Sequence, residues 1–318
     1  MTITRRAVGI GLVATLLQAL MLIAFAWPAV NLAPRDLPIA VAGPQATQVG
    51  LQLQQRNPDA FELTTLADAD AARTALADRE IYGAIVTGGG APQVLVASAA
   101  SPAVAQQLTA LAQQLSGAAT VPVQDVIAAD TDDPRGAGFG AMVLPLVMSG
   151  IAAGILLTLV IPTLGARLAG LATFGIVGGL LSTLVYHTWL SILPGSYLTL
   201  ATVAALASFA VAATIVGLAA TIGRAGIGLG ALLMLLIGNP FSAATSAPEL
   251  LPQPWGTLGQ LLPPGAAATL MRSIAYFDGA GASLPLTVLL TWAIAGVALL
   301  GVGALRTRPT EVPEPVPA

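Results

Sequence analysis

The chain has 318 residues, a mean hydropathy of +0.83, 8% charged residues and a net charge of −3. Soluble domains carry about 25% charged residues, so most of this chain belongs in lipid. All 12 basic residues are arginines, cysteine is absent and there is one histidine. That composition excludes a Walker A lysine, a Schiff-base lysine, disulfides, thiolate or multi-histidine metal sites and a cysteine nucleophile, and no basic stripe points to nucleic acid.

A hydrocarbon core of about 30 Å needs about 20 apolar residues per helix. Six uncharged runs meet this, at 7–27, 139–161, 168–190, 197–220, 226 to about 246, and 284–305. The first follows Arg5 and Arg6 and carries the Ala24-Phe25-Ala26 of a secretory signal, but its apolar run exceeds the ~7–15 residues of such a signal and fits a retained anchor. Placing Arg5 and Arg6 in the cytoplasm and alternating six spans brings Arg167, Arg224, Arg306 and Arg308 to the same side, while the opposite loop SILPGS carries no charge. Both termini are then cytoplasmic, and the proline-rich tail from 306 to 318 is expected to be disordered.

The polar stretch 28–138 holds five arginines and eleven acids and falls outside the cytoplasm. LPIAVAG reads as a strand, ATQVGLQLQQR as a helix, FELTTL as a strand and DADAARTALADRE as a helix capped by Asp68. Two strands follow around the Gly88-Gly89-Gly90 turn, then the helix PAVAQQLTALAQQL and a last strand in VPVQDVIAA. The alternation predicts a small α/β layer fold. The glycine turn leads into a strand rather than a helix, so it is a hairpin turn and not a phosphate loop.

Within the spans, Gly150 and Gly154, Gly175 and Gly179, and Gly226 and Gly230 stand four apart, a spacing that lets helices approach closely, although glycine is abundant throughout. His187, beside Tyr186 and Trp189, reads as an interfacial residue more readily than a functional one. The spans hold essentially no buried acid, which argues against a proton-coupled antiporter. GNPFSAATSAPELLPQPWGTLGQLLPPGA, 238–266, is different. If the fifth span continues, Asn239, Ser242, Ser246 and Glu249 share one helix face and form a polar stripe, the candidate lining of a transport path. Pro240 and Pro248 would kink or end that helix. PQPWGTLGQLLPPGAAATLMRSIAYF then reads as a short apolar helix, a Pro-Pro break and a second amphipathic helix. This is a re-entrant outer hairpin over about 247–283, marked by Pro252, Trp255, Pro263, Pro264 and Arg272, the alternative being an ordinary extracellular loop. Arg272 is expected to pair with Glu249 or Asp278.

One span, an extracytoplasmic α/β domain and five further spans with a proline-rich hairpin before the last resemble the membrane subunit of ABC type-2 exporters, in its phage-infection-protein (YhgE/Pip) branch. GNPFSAATSAPELLP, LPPGA, LMRSIAYFDG and LPIAVAG carry the resemblance, which covers nearly the whole chain. It implies an α-helical polytopic protein of the bacterial plasma membrane with six transmembrane helices and a small extracytoplasmic α/β domain between the first and second. It further implies a permease that pairs with a separate ATPase, docking on the Arg167 and Arg224 loops, and that forms homo- or heterodimers among membrane lipid. No catalytic residue, metal or cofactor is assigned to this chain, and ATP would be used by the partner. The alternative within the same resemblance is a non-transporting envelope scaffold or receptor.

Overall fold

The computed structural model describes residues 3–88, 92–117 and 120–306. The centre of the glycine turn, residues 89 and 90, and the tail beyond 306 lie outside the described residues.

Helix α1, Ile3–Val30, is followed by an α/β unit: β1 Leu37–Ala42, α2 Ala46–Arg56, β2 Phe61–Leu66, α3 Ala69–Ala77, β3 Gly83–Val86, β4 Gln93–Val96, α4 Pro102–Ser116 and β5 Val123–Asp125. The sheet order is β2-β1-β3-β4-β5. All neighbouring pairs are parallel except the β3–β4 hairpin. β1 is covered on both faces, which is why it reads as a continuous apolar run. Leu37, Ile39 and Val41 pack on one side with Leu53 of α2 and Leu108 of α4, and Ala40 and Ala42 on the other with Leu76 of α3. Local signals set the helix starts. The Asp68 carboxylate accepts from the Asp70 and Ala71 amides, and Ser101 caps α4 ahead of Pro102 at its first turn.

The remaining helices are α5 Ala137–Val160, α6 Leu164–Thr183 with a π-helical extension Leu184–Trp189, α7 Tyr197–Ile222, α8 Arg224–Leu232 with a π-helical extension Leu233–Gly238, α9 Trp255–Gln260, α10 Pro263–Tyr276 and α11 Ser283–Arg306. Among the described residues five helices, α1, α5, α6, α7 and α11, are long and apolar enough to cross a membrane. α7 is the axis of the bundle: 72% of its most apolar window is buried, against none of that of α1. The three glycine pairs lie against it, Gly150 and Gly154 at Val211 and Ile215, Gly175 and Gly179 at Phe209 and Ala205, and Gly226 and Gly230 at Leu218 and Ile215. The same pairings make α5 parallel to α7, and α6 and α8 antiparallel to it. Arg167, Arg224 and Arg306 therefore stand at helix ends remote from the sheet.

The fifth apolar run departs from expectation. α8 and its extension comprise nine plus six residues and end at Gly238 rather than near Ser246. At 1.5 Å per residue that is roughly 22 Å, short of the hydrocarbon core. The physical reason is Asn239-Pro240: proline lacks an amide hydrogen and restricts the residue before it. The Asn239 amide instead closes a wide turn onto the Met234 carbonyl at 2.9 Å. The hairpin has the expected helix-break-helix form, but Pro263 and Pro264 open α10 rather than break it, and the gap falls at Leu261-Leu262. Proline suits a first helical turn because its missing donor would have no partner there.

Candidate functional site

Because α8 stops short, residues 239–251 run as irregular chain at the sheet-facing end of the bundle. Backbone of this kind is tolerated beside lipid only where its polar groups are satisfied. Here Ser242 Oγ donates to the Asn239 carbonyl at 2.7 Å, Gln260 Nε2 to the Ser242 carbonyl at 3.1 Å, and Arg272 to the Ala244 carbonyl at 3.0 Å. The segment is braced by rings: Phe241 stacks on Trp255 at 5.1 Å and meets Trp27 of α1 edge-on at 6.4 Å.

This segment, the last turns of α1 and the first half of α5 enclose a groove of about 620 Å³. Phe25, Pro28, Leu144 and Pro145 give it apolar walls, and Asn239, Ser242, Thr245 and Ser246 bring amide and hydroxyl groups to the remaining side. Among the described residues no ionisable side chain lines it. Three of the four stripe residues are thus gathered, though by a folded loop and not by a helix face, which the end of α8 at Gly238 rules out. Thr245 was not singled out in the sequence because its position depends on that loop.

Glu249 goes elsewhere. It lies in a single 3-10 turn, Pro248–Leu250, and accepts a 2.9 Å hydrogen bond from the Tyr82 hydroxyl, just before β3. Arg79, after α3, donates to Ser273 Oγ and to the Thr269 carbonyl of α10, and its guanidinium lies 5.0 Å over the Phe277 ring. Arg35 ties the start of β1 to the Leu250 carbonyl at 2.9 Å. Leu250 and Phe277 continue the two apolar cores of the sheet into the α9–α10 hairpin. The α/β unit and the hairpin therefore share a buried polar junction, and Arg79 and Tyr82 are residues that no motif in the sequence marks.

Electrostatics at this junction follow from burial. Desolvation raises the Glu249 carboxyl above its ordinary value, opposed by the hydrogen bond from Tyr82 and the charge of Arg79. Burial, then the Glu249 charge, pushes the Tyr82 phenol up, and burial lowers Arg79. A carboxyl raised in the folded state binds more protons folded than unfolded, so its contribution to stability is present below the ordinary carboxylate range and is lost as pH rises through the raised value. Glu249→Gln keeps an acceptor for Tyr82 and removes this titration. Its thermal melt should be flatter than that of the parent chain as pH rises above the ordinary carboxylate range.

Arg272 does not pair with an acid. It is 6% exposed, bonds Ala244 and lies 4.5 Å over the Phe139 ring. Burial and the neighbouring Arg79 lower it to about 10. Among the described residues the one ion pair is Arg73 with Asp70. Trp255 serves the ring stack, Pro252 is buried beside it, and Pro264 packs against Gly238. Arg167 is turned back on its own corner, donating to Ile161 and Thr158 carbonyls at 2.7 and 3.0 Å, whereas Arg224 is exposed. His187 shares a 2.6 Å hydrogen bond with the Leu193 carbonyl and holds the turn after α6. No known protein family, curated protein or solved structure matches this chain.

Proposed function

We propose that the chain is the membrane-spanning permease subunit of an ABC-type exporter, moving an amphipathic or lipid-like substrate outward with energy from a separate ATPase. The observation that carries this reading is the groove, an uncharged pocket with one apolar wall and one hydroxyl- and amide-bearing wall, placed where α8 stops and the hairpin begins. A substrate with an acyl portion and a neutral polar portion meets both walls without desolvating a charge. In this reading the chain has six transmembrane passes, α8 making its pass with the irregular segment behind it. The sheet unit is extracytoplasmic, and both termini lie on the arginine-bearing side of the bacterial plasma membrane. A second permease copy would face the α1 and α5 side of the groove.

The test is purification of the tagged chain in mild detergent, with vanadate-sensitive ATP hydrolysis measured in the eluate. A co-eluting ATPase stimulated by added lipid supports the proposal, and Ala141→Trp, which fills the groove from the exposed side of α5, should remove that stimulation. Eluates without ATPase would favour a non-transporting envelope scaffold or receptor. A specific observation favours this second reading: the remote connections are only residues 161–163 and Gly223, and Arg167 is already engaged. An ATPase has little to grip there.

A further inference from the structure

The α/β unit holds a second cavity, of about 220 Å³, at the end of the sheet opposite the junction. The junction sits at the amino ends of β1 and β3, near Arg35 and Tyr82. The cavity lies beyond their carboxyl ends, six residues of β1 or about 20 Å away. From β1 the chain crosses to β2 on one side, and from β2 it returns to β3 on the other. Strand order thus reverses at β1, and in open α/β sheets the crevice outside the carboxyl ends at such a point is where ligands bind.

The site is built in advance. The buried Thr87 hydroxyl donates to the Ala42 carbonyl at 2.8 Å and accepts from the Gln45 amide at 3.0 Å, so the segments after β1 and β3 are locked together. Gly43 permits this: its φ is +92°, and a Cβ there would lie 2.2 Å from the Thr87 carbonyl oxygen. The floor is apolar, with Ile85 of β3 and Leu115 of α4. The rim carries Gln45, just ahead of α2, and Gln48 and Gln52, whose spacing of four places them on one face of that helix. Among the described residues none of these three side-chain amides has a protein hydrogen-bond partner. Each offers two donors and an acceptor. Among the described residues no ionisable side chain lines the cavity.

We infer that this crevice binds one neutral ligand of about monosaccharide size, its apolar face on Ile85 and Leu115 and its hydroxyl or amide groups on the three glutamines. Uncharged amides answer a ring of alternating donors and acceptors, whereas a charged ligand would find no counter-ion. The inference does not depend on the permease reading, because the site is remote from the groove.

The experiment uses the full chain in lipid nanodiscs, free of sugar-headed detergent, with binding read by saturation-transfer NMR. The probes are N-acetylglucosamine and glucose as neutral sugars, and glucosamine and glucuronate as charged counterparts. Saturable binding of a neutral sugar is expected, weakened about tenfold or more in the Gln48→Leu/Gln52→Leu double variant, the effect of losing two ordinary hydrogen bonds. Both positions are exposed on α2, and an unchanged melt certifies the fold. Leu115→Trp, which narrows the cavity from α4 without touching the amides, should also abolish binding. Absence of saturable binding by either neutral sugar overturns the proposal, as does binding that survives both variants or a preference for the charged sugars.

Discussion

Arg272→Glu should leave no folded chain in the membrane, while Arg272→Met should yield a folded protein of lower melting temperature. The guanidinium is buried over the Phe139 ring and satisfies the Ala244 carbonyl within the irregular segment that replaces the end of α8. Glutamate withdraws that donor and places an acid in a crevice that Asp133 already lines. A buried charge left without a partner costs several kcal/mol, against a total stability of about 5–15 kcal/mol. Methionine fills most of the same space without charge and leaves one carbonyl unpaired, a loss of about 1–3 kcal/mol. Fluorescence-detected size-exclusion of tagged variants, with melts of those that survive, separates the two. Glutamate tolerated as well as methionine would mean that the cation–ring contact and the Ala244 bond do not hold this segment.

The α/β unit was legible because its signals are local. Alternating runs, the Asp68 cap and the glycine turn each act within a few residues, and the strands and helices stand at the stretches that carry those signals. The bundle was legible in its long helices and in its four-residue glycine spacings, since both depend on one helix at a time. What was not legible depends on partners far along the chain. Asn239, Ser242 and Ser246 meet in one groove, yet through a loop whose shape is set by Gln260 and Arg272. A helix continued through Pro240 would group the same three residues, but on a face that the chain does not form. It would also misplace Glu249, whose partner Tyr82 is 167 residues away. Arg79 looked like one more surface cation at the end of α3 because nothing local distinguishes an arginine facing water from one facing Phe277 and Ser273.

Gly296→Val is expected to destabilise the helix bundle strongly. α11 runs parallel to α7 with backbone against backbone: a Cβ on Gly296 would fall 2.5 Å from the Ala213 carbonyl carbon, and one on Gly217 would fall 2.3 Å from the Gly296 oxygen. Neither obstacle is a side chain that can rotate away, so the helices must move apart. A gap of 0.5–1 Å already forfeits a quarter to a half of the dispersion energy of each contact, and helices in lipid associate chiefly through such packing. Gly296→Ala should cost about 1–3 kcal/mol, the usual range for overpacking, and valine more, because its branches meet the same backbone. Gly301, five residues further along α11, supplies the control, since a Cβ there meets nothing within 4 Å. Gly301→Ala should melt at or above the parent temperature, as alanine favours the helix by about 1 kcal/mol over glycine. Equal melts for Gly296→Val and Gly301→Ala in detergent would show that α7 and α11 do not pack by backbone contact, and the bundle would lose the close approach that sets its axis.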